Sequence, residues 1–378
     1  MTLRPVWAEV DLGAVRHNVS VLAGVAAPAA VCAVVKAGGY GHGAVEVARA
    51  ALDGGAVWLA VALVEEGAEL RDAGIDAPVL LLSEPPPAAM ADVVGLRLTP
   101  TVYTAEGVAA AAGAAAAAGA ALPVHVKVDT GMHRVGAPAA DAVKLALTVE
   151  ERPELTLEGL WTHFAVADDP GDPFTTLQNE RFAAVLGELA GLGVRPALAH
   201  ACNSAGVLAH PDARHDLVRC GLAVYGVAPS PALEPRAVDL DLRPALSLRA
   251  RVSLVKEVDA GEGVSYGLRF RAARPTVVAT VPIGYADGVP WRLAGTGAEV
   301  LIGGRRRPLA GAVTMDQLMV DCGPTEGGGR RVAVGDEVVL IGAQGDDAVD
   351  AWEWARRLGT IAYEVLSGIG ARVPRVHR

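Results

Sequence analysis

From residue 31 to about 226 the hydrophobic pattern repeats one rhythm: a short Val/Leu/Ala-rich run, a polar or Gly/Pro turn, then a helix-like stretch. The apolar runs are VCAVVKA (31–37), VWLAVA (57–62), PVLLLS (78–83), LTPTVY (98–103), PVHVKVD (123–129), LEGLWTHFA (157–165), PALAHACN (196–203) and LVRCGLAVYG (217–226). Their apolar character is nearly continuous rather than alternating, which marks parallel strands covered on both faces. Between them lie segments such as AVEVARAALDGG and LVEEGAELRDAG, the second ending in a glycine suited to a helix C-cap. Eight strand–helix units in succession predict a closed (β/α)8 barrel of the TIM type. An open doubly wound sheet shares the rhythm, but eight units in a row favour closure.

The punctuation then changes. Residues 228–236 read APSPALEPR, a linker composition with three prolines. Beyond it the runs LSLRARVSLVKEV, TVVATVPIG, AEVLIGG and DEVVLIG, separated by Gly-rich turns, predict antiparallel strands. One amphipathic helix is expected around DAWEWARRLGTIAYEVLSGIG. The expected fold is therefore α/β: an N-terminal barrel over residues 1–238, then a smaller, mainly antiparallel β domain over 239–378.

Composition removes several functions. Aromatic residues are 4% of a chain that is 52% hydrophobic, so small aliphatic side chains build the core. A net charge of −10 argues against nucleic-acid binding and against docking on anionic lipid, both of which need a basic face. The uncharged run GVAAAAGAAAAAGAALPV (107–124) has the length of a membrane span. It is built on weakly hydrophobic alanine and interrupted by glycine, so it reads as an outer helix passing into a strand. The N-terminal MTLRPVWAEVDL has no basic segment leading into an apolar one, and a cytoplasmic protein is expected. Cys32, Cys202, Cys220 and Cys322 are scattered in apolar surroundings and read as buried reduced thiols, with no metal site.

In barrels of this kind chemistry gathers at the C-terminal ends of the strands. The first strand ends in Lys36, within AVVKAGGYGHG. Burial would lower its pKa and make it a nucleophile for a carbonyl; the alternative is a lysine that snorkels from the barrel mouth to water. The glycines after it do not have dinucleotide-loop spacing. The fifth strand brings Lys127, Asp129 and Arg134, the sixth Trp161 to Phe164 with His163, the seventh His200 to Ser204, and the eighth Arg219 with Gly221 and Tyr225. Together these donors and cations ring one lysine, an arrangement suited to an anionic, aldehyde-bearing cofactor.

The segment AVVKAGGYGHG closely resembles the cofactor-lysine segment of the alanine racemases, fold-type III pyridoxal phosphate enzymes. The resemblance continues in order through VDTGMHRVG, LWTHFAVAD, HACNSAG, VRCGLAVYG, VSYG, IGYADG, TMDQ and IAYEV, covering nearly the whole chain. It implies interconversion of L- and D-alanine with pyridoxal 5'-phosphate by two bases, supplying D-alanine for peptidoglycan. It also implies a homodimer whose active sites are completed across the interface. Lys36 then holds the cofactor and serves one face of the substrate, and Tyr266 in VSYG serves the other. A phenol of ordinary pKa about 10 needs nearby cations to act as a base, and His163 is the family's neighbour for it. Arg219 is the partner of the pyridine nitrogen; as a donor only, it disfavours protonation of the ring. His200 stands behind Arg219.

The resemblance assigns the phosphate to Tyr40, Ser204, Tyr363 and backbone near Gly221. It assigns the substrate carboxylate to Arg134 with the backbone at Met315. Tyr285 narrows the entrance, Asp316 lies beside Met315 in the same region, and Lys127 matches a lysine carbamylated in some members. One departure stands out. The family usually reads K-A-N-A-Y-G-H-G, whereas Lys36 is followed by Ala37-Gly38-Gly39-Tyr40, which predicts a looser cofactor loop. Rival readings are a racemase for another small amino acid such as serine, a barrel decarboxylase, and a non-catalytic pyridoxal phosphate carrier. Arg219 and Tyr266 oppose decarboxylation. The long β region after the linker opposes the carrier, which is a single barrel.

Overall fold

The computed structural model describes residues 4–324 and 331–378. After β1 (Val6–Val10) come eight parallel strands: β2 (Ala30–Val34), β3 (Trp58–Val61), β4 (Val79–Leu81), β5 (Thr101–Val102), β6 (Leu122–Lys127), β7 (Leu155–Trp161), β8 (Leu198–His200) and β9 (Leu217–Cys220). All eight apolar runs thus become strands. They form two parallel ladders, β4-β3-β2-β9 and β5-β6-β7-β8. Backbone hydrogen bonds join the ladders at both seams. Leu81 and Thr99 amides donate to the carbonyls of Thr99 and Val79 (both 2.9 Å); Asp216 and Arg219 amides donate to those of Ala199 (3.0 Å) and Cys202 (2.9 Å). The barrel is closed, as the succession of eight units predicts.

The alanine-rich run forms the helix Ala105–Ala118. Thr104 caps it by accepting from the Gly107 amide at 2.9 Å, and Gly119 ends it in the left-handed conformation. Its buried positions, Val108, Ala111, Ala112 and Ala115, fall on one helical stripe, and β6 follows directly. No helix among the described residues is long and apolar enough to cross a membrane. The APSPALEPR stretch differs from a linker. Pro231–Leu233 is a 3-10 turn leading into the helix Glu234–Asp239, and Ser230 Oγ donates to the Asp168 carbonyl at 2.6 Å. Proline at a helix start lacks only a hydrogen that would be unpaired there, so these prolines begin structure rather than break it.

The second compact unit comprises the N-terminal stretch to Leu12, Tyr40–His42 and Pro244–Arg378. Its strands are β10 (Leu246–Arg251), β11 (Leu254–Val258), β12 (Gly263–Val264), β13 (Phe270–Arg271), β14 (Thr276–Val281), β15 (Glu299–Ile302), β16 (Arg305–Pro308), β17 (Leu318–Pro324), β18 (Glu337–Gln344), β19 (Asp347–Val349) and β20 (Arg375–His377). One sheet runs β16-β15-β18-β10-β1-β20, a second β11-β14-β17, and β12 and β13 form a small hairpin. Pairing is antiparallel except between β1 and β20. β1 alternates buried Val6, Ala8 and Val10 with half-buried Trp7 and Glu9, the pattern of a strand covered mainly on one face.

The single amphipathic helix expected near the C-terminus is two, Ala351–Leu358 and Ala362–Ser367. Gly359 ends the first at φ 69°, a left-handed cap that a residue with a Cβ adopts only with strain.

Candidate active site

Lys36 lies just beyond β2, half-buried, at the mouth of the barrel. Burial lowers its pKa, the Arg134 guanidinium lowers it further, and Glu66 opposes both. The next four residues, Ala37, Gly38, Gly39 and Tyr40, all have positive φ (53°, 59°, 63° and 52°), a full turn of reversed hand. Such a turn costs roughly 1–2 kcal/mol per residue bearing a Cβ. The two glycines therefore relieve strain in a required shape instead of loosening the loop. At Gly39 a Cβ would also lie 3.3 Å from the Ala44 backbone.

Glu66, on the helix Val64–Asp72 after β3, fastens this turn. Its Oε1 accepts from the Ala37 amide at 2.6 Å, and its Oε2 accepts from Ala62 (2.8 Å) and Leu63 (3.1 Å). One carboxylate thus ties the lysine segment to the neighbouring strand end. Glu66→Ala is expected to destabilise the barrel by about 2 kcal/mol, the loss of several charge-assisted bonds. Urea unfolding measures this, and faster amide exchange at Ala37 locates it.

Arg219, on β9, is almost wholly buried. Its Nη1 donates to His200 Nδ1 at 2.8 Å; its Nη2 donates to the carbonyls of Thr162 (2.8 Å) and Ala201 (3.0 Å) and reaches His163 Nδ1 at 3.3 Å. The guanidinium lies 4.4 Å from the Trp161 ring centre. None of these four hydrogen bonds uses Nε–H, and none goes to a carboxylate. Burial lowers the Arg219 pKa to about 10, still far above neutrality.

Lys127 ends β6, its Nζ 4.0 Å over the same Trp161 ring. Burial, then Arg219 and Arg134, lower its pKa to about 7, with Asp129 opposing. Asp129 Oδ1 accepts from the amides of Gly131 and His133 at 2.9 and 3.1 Å, shaping the loop that carries exposed Arg134. Burial first and Arg219 second hold His163 well below its ordinary range, and Lys127, Arg134 and Lys36 add to this. These influences favour the neutral imidazole at His163, whereas the sequence expectation has it as a cation beside a phenol.

Ser204 opens the helix Ser204–Ala209 after β8, and Asn203 caps it through the Gly206 amide at 2.9 Å. Ser204 Oγ accepts from the amides of Gly221 (2.8 Å) and Ala223 (3.3 Å), so the loops after β8 and β9 converge on one hydroxyl. Lys36, Lys127, Arg134, His163 and Arg219 interact electrostatically as one cluster in the barrel, which also holds Ser204 and Gly221.

The remaining candidates belong to the β unit. Tyr40 and Tyr363 pack with ring centres 6.1 Å apart, and burial raises the Tyr40 pKa to about 12. Tyr266 stands in a 3-10 turn, 77% exposed. The amides of Tyr285 and Ala286 donate to the carbonyls of Thr314 (2.9 Å) and Met315 (3.1 Å), which brings Tyr285 and Met315 together. Gly284 permits this approach, since a Cβ there would lie 2.2 Å from the Thr314 carbonyl oxygen. Asp316 pairs with Arg372 at 2.7 Å.

Three neighbours of the site are not singled out by the sequence: Glu66, which fastens the lysine turn, and His125 and Glu158, which lie behind His200. His125 lies two residues before Lys127 on β6 and so shares its face of the strand. That parity was the available signal for it.

The residues present suit pyridoxal phosphate: a barrel-mouth amine of lowered pKa, a buried donor-only cation, and a serine hydroxyl on which the loops after β8 and β9 converge. The family model described as Alanine racemase, N-terminal domain, matches residues 10–229, and Alanine racemase, C-terminal domain, matches 245–377. A curated alanine racemase of Symbiobacterium thermophilum is 48% identical over 99% of this chain and 97% of its own. One of Carboxydothermus hydrogenoformans is 44% identical over 99% of this chain and 100% of its own. The crystal structure of alanine racemase from Streptomyces lavendulae is similar with a TM-score of 0.93 and 41% identity, covering 100% of this chain and 98% of that one.

Proposed function

The chain belongs to the alanine racemase family and interconverts L- and D-alanine, and on that premise we propose that it does so with pyridoxal phosphate held by Lys36 in a homodimer. The observation that carries this reading is Lys36, its pKa lowered, in one cluster with a buried arginine that can only donate. When bound, the cofactor withdraws electrons from the substrate's Cα–H bond, so that the proton can leave.

The chain's own groups do the rest. Lys36 Nζ, less basic than a free lysine, takes or returns the proton on one face. Tyr266 Oη does so on the other, with neutral His163 as a hydrogen-bond partner for the family network. Arg219 offers N–H groups to the pyridine nitrogen and has no proton to give up near neutral pH. By the family pattern the phosphate falls to Ser204 and the backbone near Gly221, and Tyr40 and Tyr363 are assigned to the same group. Arg134 and the Met315 backbone take the substrate carboxylate. Tyr285 keeps the side-chain space small, and Asp316 steadies that edge through Arg372.

The exposure of Tyr266 in a single chain, with Leu268, Trp291 and Met315 also exposed on the β unit, supports a partner subunit that covers part of that unit. Lys127, its pKa lowered to about 7, is suited to add carbon dioxide as a carbamate beside Arg134. Four free, buried cysteines fit a reducing cytoplasm, where the D-alanine would feed peptidoglycan synthesis.

Incubation with each enantiomer in heavy water, followed by circular dichroism and by deuterium at Cα, tests the assignment. Tyr266→Phe is expected to lower net inversion by about 10²–10⁴-fold. It should spare exchange from D-alanine more than it spares inversion. Equal loss in both would contradict the assigned faces.

A further inference from the structure

The hydrogen bonds behind Arg219 run in one direction. A guanidinium has only donors, so His200 Nδ1, 2.8 Å away, must accept. A neutral His200 then carries its hydrogen on Nε2 and donates to His125 Nδ1 at 2.9 Å. His125, accepting at Nδ1, carries its own hydrogen on Nε2, 3.3 Å from Glu158 Oε2. An ionised carboxylate can only accept, so both ends of the chain require the same order. Burial holds both imidazoles below their ordinary range; at His200 the Arg219 charge adds to this, while at His125 Glu158 opposes it.

The barrel is built around this line of groups. A Cβ at Gly159, the β7 residue paired with His125, would lie 2.4 Å from the His125 ring. Trp161 stacks on His200 with rings 5.5 Å apart and 6° from parallel, and Trp58 approaches His125 at 5.4 Å. Glu158 is the carboxylate that reaches Arg219 through this line.

We propose that Glu158 and His125 are positioning residues for Arg219. Through two imidazoles of fixed tautomer, the Glu158 carboxylate orders the guanidinium and sharpens the acceptor it meets at His200. The order of the hydrogens stands on these bonds alone; its consequence at the cofactor rests on the proposed pyridoxal phosphate reading.

The test uses the full-length purified protein with ring-15N histidine, as the native chain, Glu158→Gln and Glu158→Leu. In the native chain His125 and His200 are expected as neutral Nε2–H tautomers that persist to mildly acidic pH. Glu158→Gln keeps an acceptor oxygen and should keep both tautomers. Glu158→Leu removes it, and the His125 and His200 resonances should shift and broaden while circular dichroism reports an intact fold. In the cofactor-loaded enzyme, Glu158→Leu should shift the absorption band of the bound cofactor and lower kcat about tenfold. KM for alanine should stay within about twofold, since only ground-state binding alters KM by itself. Glu158→Gln should restore most of the loss.

An Nδ1–H tautomer at His125 in the native chain would overturn the proposal. So would His200 signals and a cofactor band that ignore Glu158→Leu. Failure of the protein to bind pyridoxal phosphate would overturn the cofactor reading alone and leave the tautomer measurement decisive for the relay.

Discussion

Replacing Lys36 with methionine will leave a folded chain that no longer exchanges the Cα hydrogen of either alanine enantiomer. The amine is half-buried and less basic than a free lysine because of burial and Arg134. A thioether of similar length fills the same space without a charge. Stability should therefore be kept or slightly raised while chemistry is lost. Loss of a group that both anchors the cofactor and moves a proton should cost at least about 10⁴-fold, the upper end for a general base alone. Borohydride reduction followed by peptide mass analysis should place a cofactor adduct at Lys36 in the native chain and none in the variant. Racemisation at an unchanged rate in Lys36→Met would refute the assignment.

Stability should also rise between neutral and alkaline pH, the reverse of what repulsion in an acidic protein suggests, and Lys127 is the reason. Burial and the charges of Arg219 and Arg134 lower its pKa from 10.5 to about 7 in the folded chain. Below that value both states carry the proton and the full penalty of the buried ammonium is present. Between it and the unfolded value, the unfolded chain binds more protons than the folded one, so ΔG of unfolding increases with pH. At ~1.4 kcal/mol per pKa unit the gain approaches ~5 kcal/mol as an upper bound. Lys127→Met should be more stable at neutral pH and should lose most of this slope. Urea midpoints across the window, in bicarbonate-free buffer, measure both. Added bicarbonate should flatten the native curve if the lysine becomes a carbamate, whose negative charge would face Arg134 and Arg219.

The barrel was legible because its signal is repetitive: eight apolar runs at helix-length intervals leave few other architectures. The β unit was legible as a class but not in its connectivity. VWAEV is too short and too ordinary to reveal that β1 pairs with β10 and β20 across most of the chain. The break at Gly359 was missed because apolar spacing continues through it, although a lone glycine after a basic helical turn is a stop signal.

At the site, residue types at strand ends were readable, while their protonation was not. The family resemblance offers His163 as a cationic neighbour of the phenol; the four cations that hold its pKa down come together only when β2, β6, β7 and β9 meet. Glu66 and His125 were overlooked for a related reason. A glutamate in a helix and a histidine in an apolar strand are ordinary in sequence, and their meaning lies in which amide or imidazole they face.

The pairing of β1 with β10 and β20 has a consequence for biosynthesis. β1 is synthesised long before β10, and longer still before β20, the two strands it pairs with. The barrel segment, by contrast, has all its strands in hand by Cys220. Synthesis thus completes the eight barrel strands while β1 still lacks both of its neighbours, so the sheet that holds β1 is finished only after the barrel strands exist.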